Sequence, residues 1–423
     1  MKFYASFDNN DGRLFCQNVD LVDLALKNGT PLLVTCEKRL KENFDMINKN
    51  FKKLYSKFKV NYAVKANSNP AILSIFRKLG SGVDTASLGE IYISKYSGYS
   101  LNDIIFTPNF ASKESLKFVN DMGIKINFDD IGQFMYVAGD NPNFVSFRIN
   151  PGIGGGEFPG IVTGGHETKF GLPAENALKA YKIAKKYGIK RFGIHMHGGS
   201  NNLDEQYFNN ISKRFFKIAK EIMDELNIEF EYVDIGGGFG VPYRENEKTL
   251  NMENVAMNIV ENFKDIIKKE DIELMVEPGR YLVADSTVLL GRVTYIKEYG
   301  KKIIGTDIGM NILIRPALYG AYHRIVVANN LNSENSWDVD IVGQICENTD
   351  KIAEKRKFPP VKVDDIIAVF NAGAYVYSMS SNYNGFLRPM EILIDEDSGI
   401  NIIRERENYW DLISHVPLNK YIF

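Results

Sequence analysis

The sequence has no surplus of charge of either sign. Its 51 Lys and Arg stand against 53 Asp and Glu, a formal net charge of −2, which excludes a partner held by bulk positive potential, whether nucleic acid or an acidic membrane surface. Cysteine is scarce. Cys16, Cys36 and Cys346 are too few for a disulfide framework and fit a reducing, cytoplasmic setting. No apolar run approaches the roughly 18–20 residues that span a bilayer. The opening residues, MKFYASFDNNDGR, lack the apolar core of a signal peptide. Low-complexity stretches are missing too, and 44% hydrophobic with 25% charged residues is ordinary globular composition. At 423 residues the chain is too long for one typical core and calls for two or three domains.

Residues 1–35 read as strands. Asn9-Asn10-Asp11-Gly12 is a strong turn signal between two short β-patterned runs, and because a lone hairpin is marginal, these strands are expected to join a later sheet. From about residue 36 to 283, strand-like runs alternate with helical patterns. The runs fall near 60–66, 82–87, 104–109, 124–129, 144–150, 192–197, 232–238 and 273–278, with helical patterns at 70–79, 112–122, 173–187, 203–226 and 252–269. About eight βα units in this length predict a TIM barrel, with a doubly wound open sheet as the competitor. From 284 to 423 the alternation gives way to strands joined by turns, an all-β domain.

If the barrel forms, its C-terminal strand ends carry the chemistry. Those ends hold Lys65, Asp84, Asn109, Asn150, His197, the glycines Gly236, Gly237 and Gly238, and Glu277. Lys65 is either a lysine snorkelling out of the barrel mouth or a Schiff-base amine made nucleophilic by partial desolvation. The three glycines are either a tight turn or a phosphate cradle, and they match neither a Walker A loop nor a GxGxxG turn. His195 and His197 share a strand face. Metal binding would need a further ligand that no recognisable spacing supplies, so no metal is expected. Glu277 could act as a general base or partner a heteroaromatic nitrogen, and Arg280 could hold a carboxylate or phosphate. In the β domain, Cys346 lies among acidic neighbours that suit a proton donor better than a thiolate. Arg315 could clamp a carboxylate, and Tyr375 sits among small residues that admit a ligand.

Eight segments in order, YAVKAN (62–67), GVDTASLGE (82–90), HMHGGS (195–200), GGGFGVPY (236–243), EPGR (277–280), IRPALYGAYH (314–323), CENTD (346–350) and GAYVYSMSSNYN (373–384), resemble the fold-type III, pyridoxal-phosphate-dependent amino acid decarboxylases over nearly the whole chain. The resemblance implies an alanine racemase-like TIM barrel with a C-terminal β domain, pyridoxal 5'-phosphate as cofactor, and a homodimer with shared active sites. It implies that Lys65 binds the cofactor covalently, His197 stacks on its ring, Asp84 supports the lysine, and Glu277 contacts the pyridine nitrogen. Ser200, Gly236, Gly237, Gly238 and Tyr375 would hold the phosphate, and Arg280 would also contact the cofactor. Arg280, Arg315, Tyr319, Glu347 and Tyr375 would bind substrate, and Cys346 would protonate the carbanion in the neighbouring subunit's site.

The resemblance is strongest to the branch that decarboxylates meso-2,6-diaminopimelate to L-lysine and CO2, the last step of lysine biosynthesis. Decarboxylation of ornithine, arginine or a carboxylated polyamine is the alternative, and the arginines favour a substrate with a distal carboxylate. A racemase is disfavoured because Glu277 would protonate the pyridine, and a non-catalytic cofactor carrier would not need Cys346, Arg315 and Tyr375. The sequence departs from the family pattern at Asn348 and Thr349, where CESGD is usual, at Gly199, and at Phe386 and Leu387. The glycine-rich segment 152–171 is expected to be a mobile loop or lid.

Overall fold

The computed structural model describes residues 2–140, 142–165 and 167–417. The chain divides into two compact units. One takes in the residues up to Leu40, Tyr243–Glu245 and the chain from Val283 onward; the other is Lys41–Pro242 with Asn246–Leu282.

The second unit is a closed parallel barrel. Its strands are β1 (Phe58–Ala63), β2 (Gly82–Thr85), β3 (Ile104–Phe106), β4 (Lys125–Phe128), β5 (Val145–Asn150), β6 (Phe192–His195), β7 (Phe230–Asp234) and β8 (Glu273–Val276). Each pairs in parallel with the next, β8 pairs with β1, and β4 pairs with β5 to close the ring, so the barrel holds and the open sheet does not. Helices Pro70–Lys78, Leu88–Tyr96, Lys113–Asp121, Ala174–Lys186, Glu205–Leu226 and Met252–Ile267 connect the strands. Most begin at a side-chain cap that satisfies free N–H groups: Asn69, Ser87, Ser112, Asp204 and Asn251 all accept from the first turn.

The barrel interior is packed by alternating bulk. Ile105, Phe144, Tyr232 and Met275 form a buried cluster, and Gly193 makes room for it, since a Cβ there would stand 2.6 Å from the Tyr232 ring and 2.8 Å from Phe144. Tyr232 donates to Asn127 Oδ1 at 2.7 Å, so its buried hydroxyl is satisfied. This plug leaves the C-terminal strand ends as the polar face.

In the other unit the 13-residue strand Thr287–Tyr299 is central. It pairs antiparallel with Leu32–Cys36, Ile366–Val369 and Lys301–Thr306. Leu33 and Leu289 enter one core, while Leu32, Val34, Val288 and Leu290 enter the other. A sheet covered on both faces explains why LLVTC reads as a continuous apolar run rather than an alternating one. The N-terminal hairpin differs from expectation. Phe7–Asn10 and Arg13–Cys16 form a four-stranded sheet with Lys2–Tyr4 and Val19–Asp20. They meet the larger sheet through shared apolar packing of Phe7, Leu14 and Cys16, and the strand that joins it is Leu32–Cys36. The segment 152–171, expected as a lid, is partly ordered by pairing of Gly155–Gly156 with Gly199–Ser200; His166 within it lies outside the described residues.

Candidate active site

Lys65 stands on a single 3-10 turn, Val64–Ala66, directly after β1. The turn is fixed from behind: Tyr62 donates its hydroxyl to the Asn67 carbonyl at 2.8 Å, and Asn67 Oδ1 accepts from Asn69 N. Gly279 lies against it, where a Cβ would come within 3.0 Å of Ala66 Cβ. The Lys65 side chain is 42% exposed while its partner Asp84, 3.9 Å away on β2, is buried. Asp84 Oδ1 is buried without a hydrogen-bond partner among the described residues.

Glu277 follows β8 and is only 3% exposed. Its Oε2 lies 2.9 Å from His195 Nε2, and its Oε1 is buried with no partner among the described residues. Burial, and after it the charge of Asp84, hold this carboxyl well above the usual carboxylate range. His197 has a defined tautomer. Its Nδ1 accepts the Gly237 N–H at 3.1 Å, so a neutral ring carries its proton on Nε2. Burial, reinforced by the charge of Lys65, keeps it neutral by lowering its pKa well below the ordinary histidine value.

The three glycines are required by close approach. At Gly236 (φ +68°) a Cβ would stand 2.3 Å from the Met196 carbonyl; at Gly237, 2.2 Å from the Glu277 carbonyl; at Gly238 (φ +95°), 2.8 Å from the Gly199 carbonyl. Two of their amides are engaged by the protein. Gly236 N donates to Asp234 Oδ1 at 2.8 Å and Gly237 N to His197, which refines the expectation of a three-amide cradle. Arg280 is buried and donates to Ser200 Oγ at 3.3 Å. The barrel unit thus brings together Lys65, Asp84, His197, Ser200, Gly236, Gly237, Gly238, Glu277 and Arg280 on its C-terminal strand ends.

Three buried residues of this face were not singled out as cofactor ligands from the sequence. Arg148, at the end of β5, is buried, and its charge reaches Glu277, Asp84 and Asp129. Asp234 and His195 end β7 and β6 and are fully buried. The sign that could have found Arg148 is an arginine in an otherwise apolar strand, FVSFRIN. Ligand-type atoms of His195, Asp234 and Glu277 come within 4.8 Å of one another, a spacing that would also suit a small cation.

The remaining expected residues belong to the other unit. Arg315 opens the short helix Arg315–Tyr319 and is 1% exposed. Its Nη1 lies 2.7 Å from His323 Nε2, and its guanidinium stacks 4.7 Å from the centre of the Tyr243 ring. Tyr319 is half-buried. Cys346 and Glu347 are exposed on a loop anchored by buried Asp350, which accepts from Met310 N at 2.6 Å and Ile345 N at 2.7 Å. Glu347 accepts from the Tyr383 hydroxyl and from Thr349 Oγ1, so Thr349, one of the departures from the family pattern, orients it. Tyr375 is held at φ +59°, a conformation that costs a non-glycine residue on the order of 1 kcal/mol.

The barrel residues fit pyridoxal phosphate. A lysine amine, an unpartnered buried carboxylate oxygen, a neutral imidazole, and an arginine with a serine hydroxyl beside a glycine turn match a ring aldehyde, a ring nitrogen, a ring face and a phosphate. The family of pyridoxal-dependent decarboxylases, through its pyridoxal-binding domain, matches residues 39–284. The chain is 39% identical over 410 residues to the diaminopimelate decarboxylase of Methanothermobacter thermautotrophicus, covering 96% of each. It is 40% identical to that of Thermoplasma acidophilum, covering 98% of this chain and all of the other. The structure of the diaminopimelate decarboxylase of M. jannaschii in complex with L-lysine superposes with a TM-score of 0.90 at 35% identity, over 99% of both chains.

Proposed function

The chain belongs to the pyridoxal-dependent decarboxylases, and on that premise we propose that it converts meso-2,6-diaminopimelate to L-lysine and CO2, the closing step of lysine biosynthesis. The observation that carries the reaction class is the buried, unpartnered Oε1 of Glu277 on the same barrel face as the Lys65 amine. The substrate rests on relatedness to diaminopimelate decarboxylases along almost the entire chain.

When bound, pyridoxal phosphate supplies the electron sink for the electrons released as the carboxylate leaves. Lys65 provides the amine that holds the cofactor, with Asp84 beside it. Glu277 holds the proton at the ring nitrogen. His197, neutral and protonated on Nε2, lies against the ring. Arg280, Ser200, Gly238 and Tyr375 hold the phosphate, with Gly236 and Gly237 shaping the turn. Residues 36–283 act as the cofactor-binding barrel, and residues 1–35 with 284–423 as the β domain that carries substrate groups. Arg315 and Arg280 neutralise the distal carboxylate, while Tyr319, Tyr375 and Glu347 orient the distal end. Cys346, exposed on its loop, donates the proton that replaces CO2, in the site of the second subunit of a homodimer. Cys16, Cys36 and Cys346 form no disulfide, which supports a cytoplasmic enzyme; among the described residues no helix is long and apolar enough to cross a membrane.

The test is a substrate panel. The holoenzyme is given meso-diaminopimelate, L-ornithine, L-arginine and L-lysine separately, and amines and CO2 are followed by mass spectrometry. Lysine formed from diaminopimelate, with little turnover of the others, is expected. Putrescine, agmatine or cadaverine instead would move the substrate assignment to the changes at Asn348 and Phe386 while leaving the cofactor in place. The shared site is tested by mixing two inactive variants, Lys65→Ala and Cys346→Ala. Activity returns on mixing if the two residues serve one site from different subunits, and stays absent if each site is built from one chain.

A further inference from the structure

His195 and Asp234 are fully buried on the cofactor face of the barrel, yet the reaction as described uses neither. A buried polar group without a role is costly, so their contacts should reveal one. His195 Nε2 lies 2.9 Å from Glu277 Oε2. Asp234 Oδ1 accepts from Gly236 N at 2.8 Å, and Glu277 N donates to the Gly236 carbonyl at 2.8 Å. The carboxylate, the histidine and the glycine turn are therefore one connected unit.

Glu277 stands in a field of competing charges. Asp84 repels its anion, and Lys65 and Arg148 attract it. Either cation could draw the carboxylate away from a ring nitrogen. A neutral donor is the partner that fixes its orientation without taking up its charge. Burial lowers His195 to about 4, so it is a neutral imidazole with a single N–H at physiological pH.

We propose that His195 is a positioning residue: its Nε2–H donates to Glu277 Oε2 and so presents Oε1, which accepts from no donor among the described residues, to the cofactor's ring nitrogen. Asp234 sets the height of the pair by fixing Gly236. This rests on the assignment of Glu277 to the ring nitrogen.

The test uses holoenzyme carrying pyridoxal phosphate labelled with 15N in the ring, whose nitrogen shift reports protonation independently of turnover. Wild type and His195→Gln, whose amide N–H can stand in for Nε2–H, should keep the ring nitrogen protonated at neutral pH. His195→Leu should titrate it at least one pH unit lower, a tenfold weaker hold on the proton. Glu277→Gln separates the two claims. If it leaves the ring nitrogen protonated, the assignment of Glu277 falls and this proposal with it. If it removes the proton but His195→Leu titrates like wild type, the proposal alone is overturned. Should His195→Leu give no folded holoenzyme, 15N-histidine spectra of the wild type decide. An Nε2–H tautomer at His195 supports the proposal, and an Nδ1–H tautomer, or a stoichiometric metal ion bound to His195, overturns it.

Discussion

Replacing Gly236 with alanine should detach the cofactor more than it unfolds the protein. The new methyl group would sit 2.3 Å from the Met196 carbonyl and 2.8 Å from His197 Nδ1, with φ at +68°. Met196 cannot easily yield, because its own N–H is bonded to the Asp234 carbonyl at the end of β7. Two costs follow: about 1–2 kcal/mol for an L-residue in the left-handed region, and about 1–3 kcal/mol for overpacking. The turn relieves them by withdrawing, which would strain the Gly236–Asp234 and Gly237–His197 bonds and move Gly238 away from the phosphate position proposed for it. Losing one hydrogen bond to a charged group costs about 1.5–3 kcal/mol, or roughly 10- to 150-fold in cofactor affinity. Gly188→Ala is the matched control: φ there is +84° but nothing lies within 4 Å of the added carbon, so it carries the backbone cost alone and should bind cofactor like wild type. The assay is titration of cofactor-stripped protein with pyridoxal phosphate, followed by absorbance, alongside thermal melting. A Gly236→Ala protein that binds within threefold of wild type would refute the reasoning.

The buried pair Arg315–His323 makes a second prediction. His323 Nδ1 faces the Phe370 carbonyl at 2.8 Å, an acceptor only, so Nδ1 carries the proton and Nε2 accepts from Arg315. His323→Leu should raise KM for diaminopimelate about 10- to 100-fold through the loss of a charge-assisted bond, with kcat and the cofactor spectrum little changed. His323→Gln, whose carbonyl can accept, should recover part of it, and steady-state kinetics that show an unchanged KM in His323→Leu would sink the idea. A third prediction concerns acid. His195 has a folded pKa of about 4 against roughly 6.5 unfolded. A depressed folded pKa means its contribution is full above about pH 6.5 and is lost as pH falls toward 4, by up to about 3 kcal/mol. Urea unfolding across that window should be less pH-dependent in His195→Gln than in wild type; equal slopes would contradict the assignment.

The barrel was legible because its signals are local. Each of the eight strand-like runs contains or overlaps a strand, and the helix patterns fall within a few residues of their observed ends, since strand ends, caps and periodicity are set by neighbouring residues. The Asn9–Gly12 turn is equally local: Gly12 takes φ +84° and donates to Asn9 Oδ1. Lys65, His197 and Glu277 could be named because the barrel rule places chemistry at strand ends. Long-range pairing was another matter. The strand Leu32–Cys36 is a five-residue apolar run without periodicity, and it finds partners at Thr287–Leu290 and Met390–Ile394. Within the site, the sequence offered three glycines as equivalent amides, and the tertiary structure commits two of them to Asp234 and His197. It also supplied the arrangement of His195, Asp234, Arg148 and Glu277. Local sequence fixes which residues end each strand. Closure of the ring brings β5, β6, β7 and β8 side by side, and so decides which buried charges must satisfy one another where water cannot.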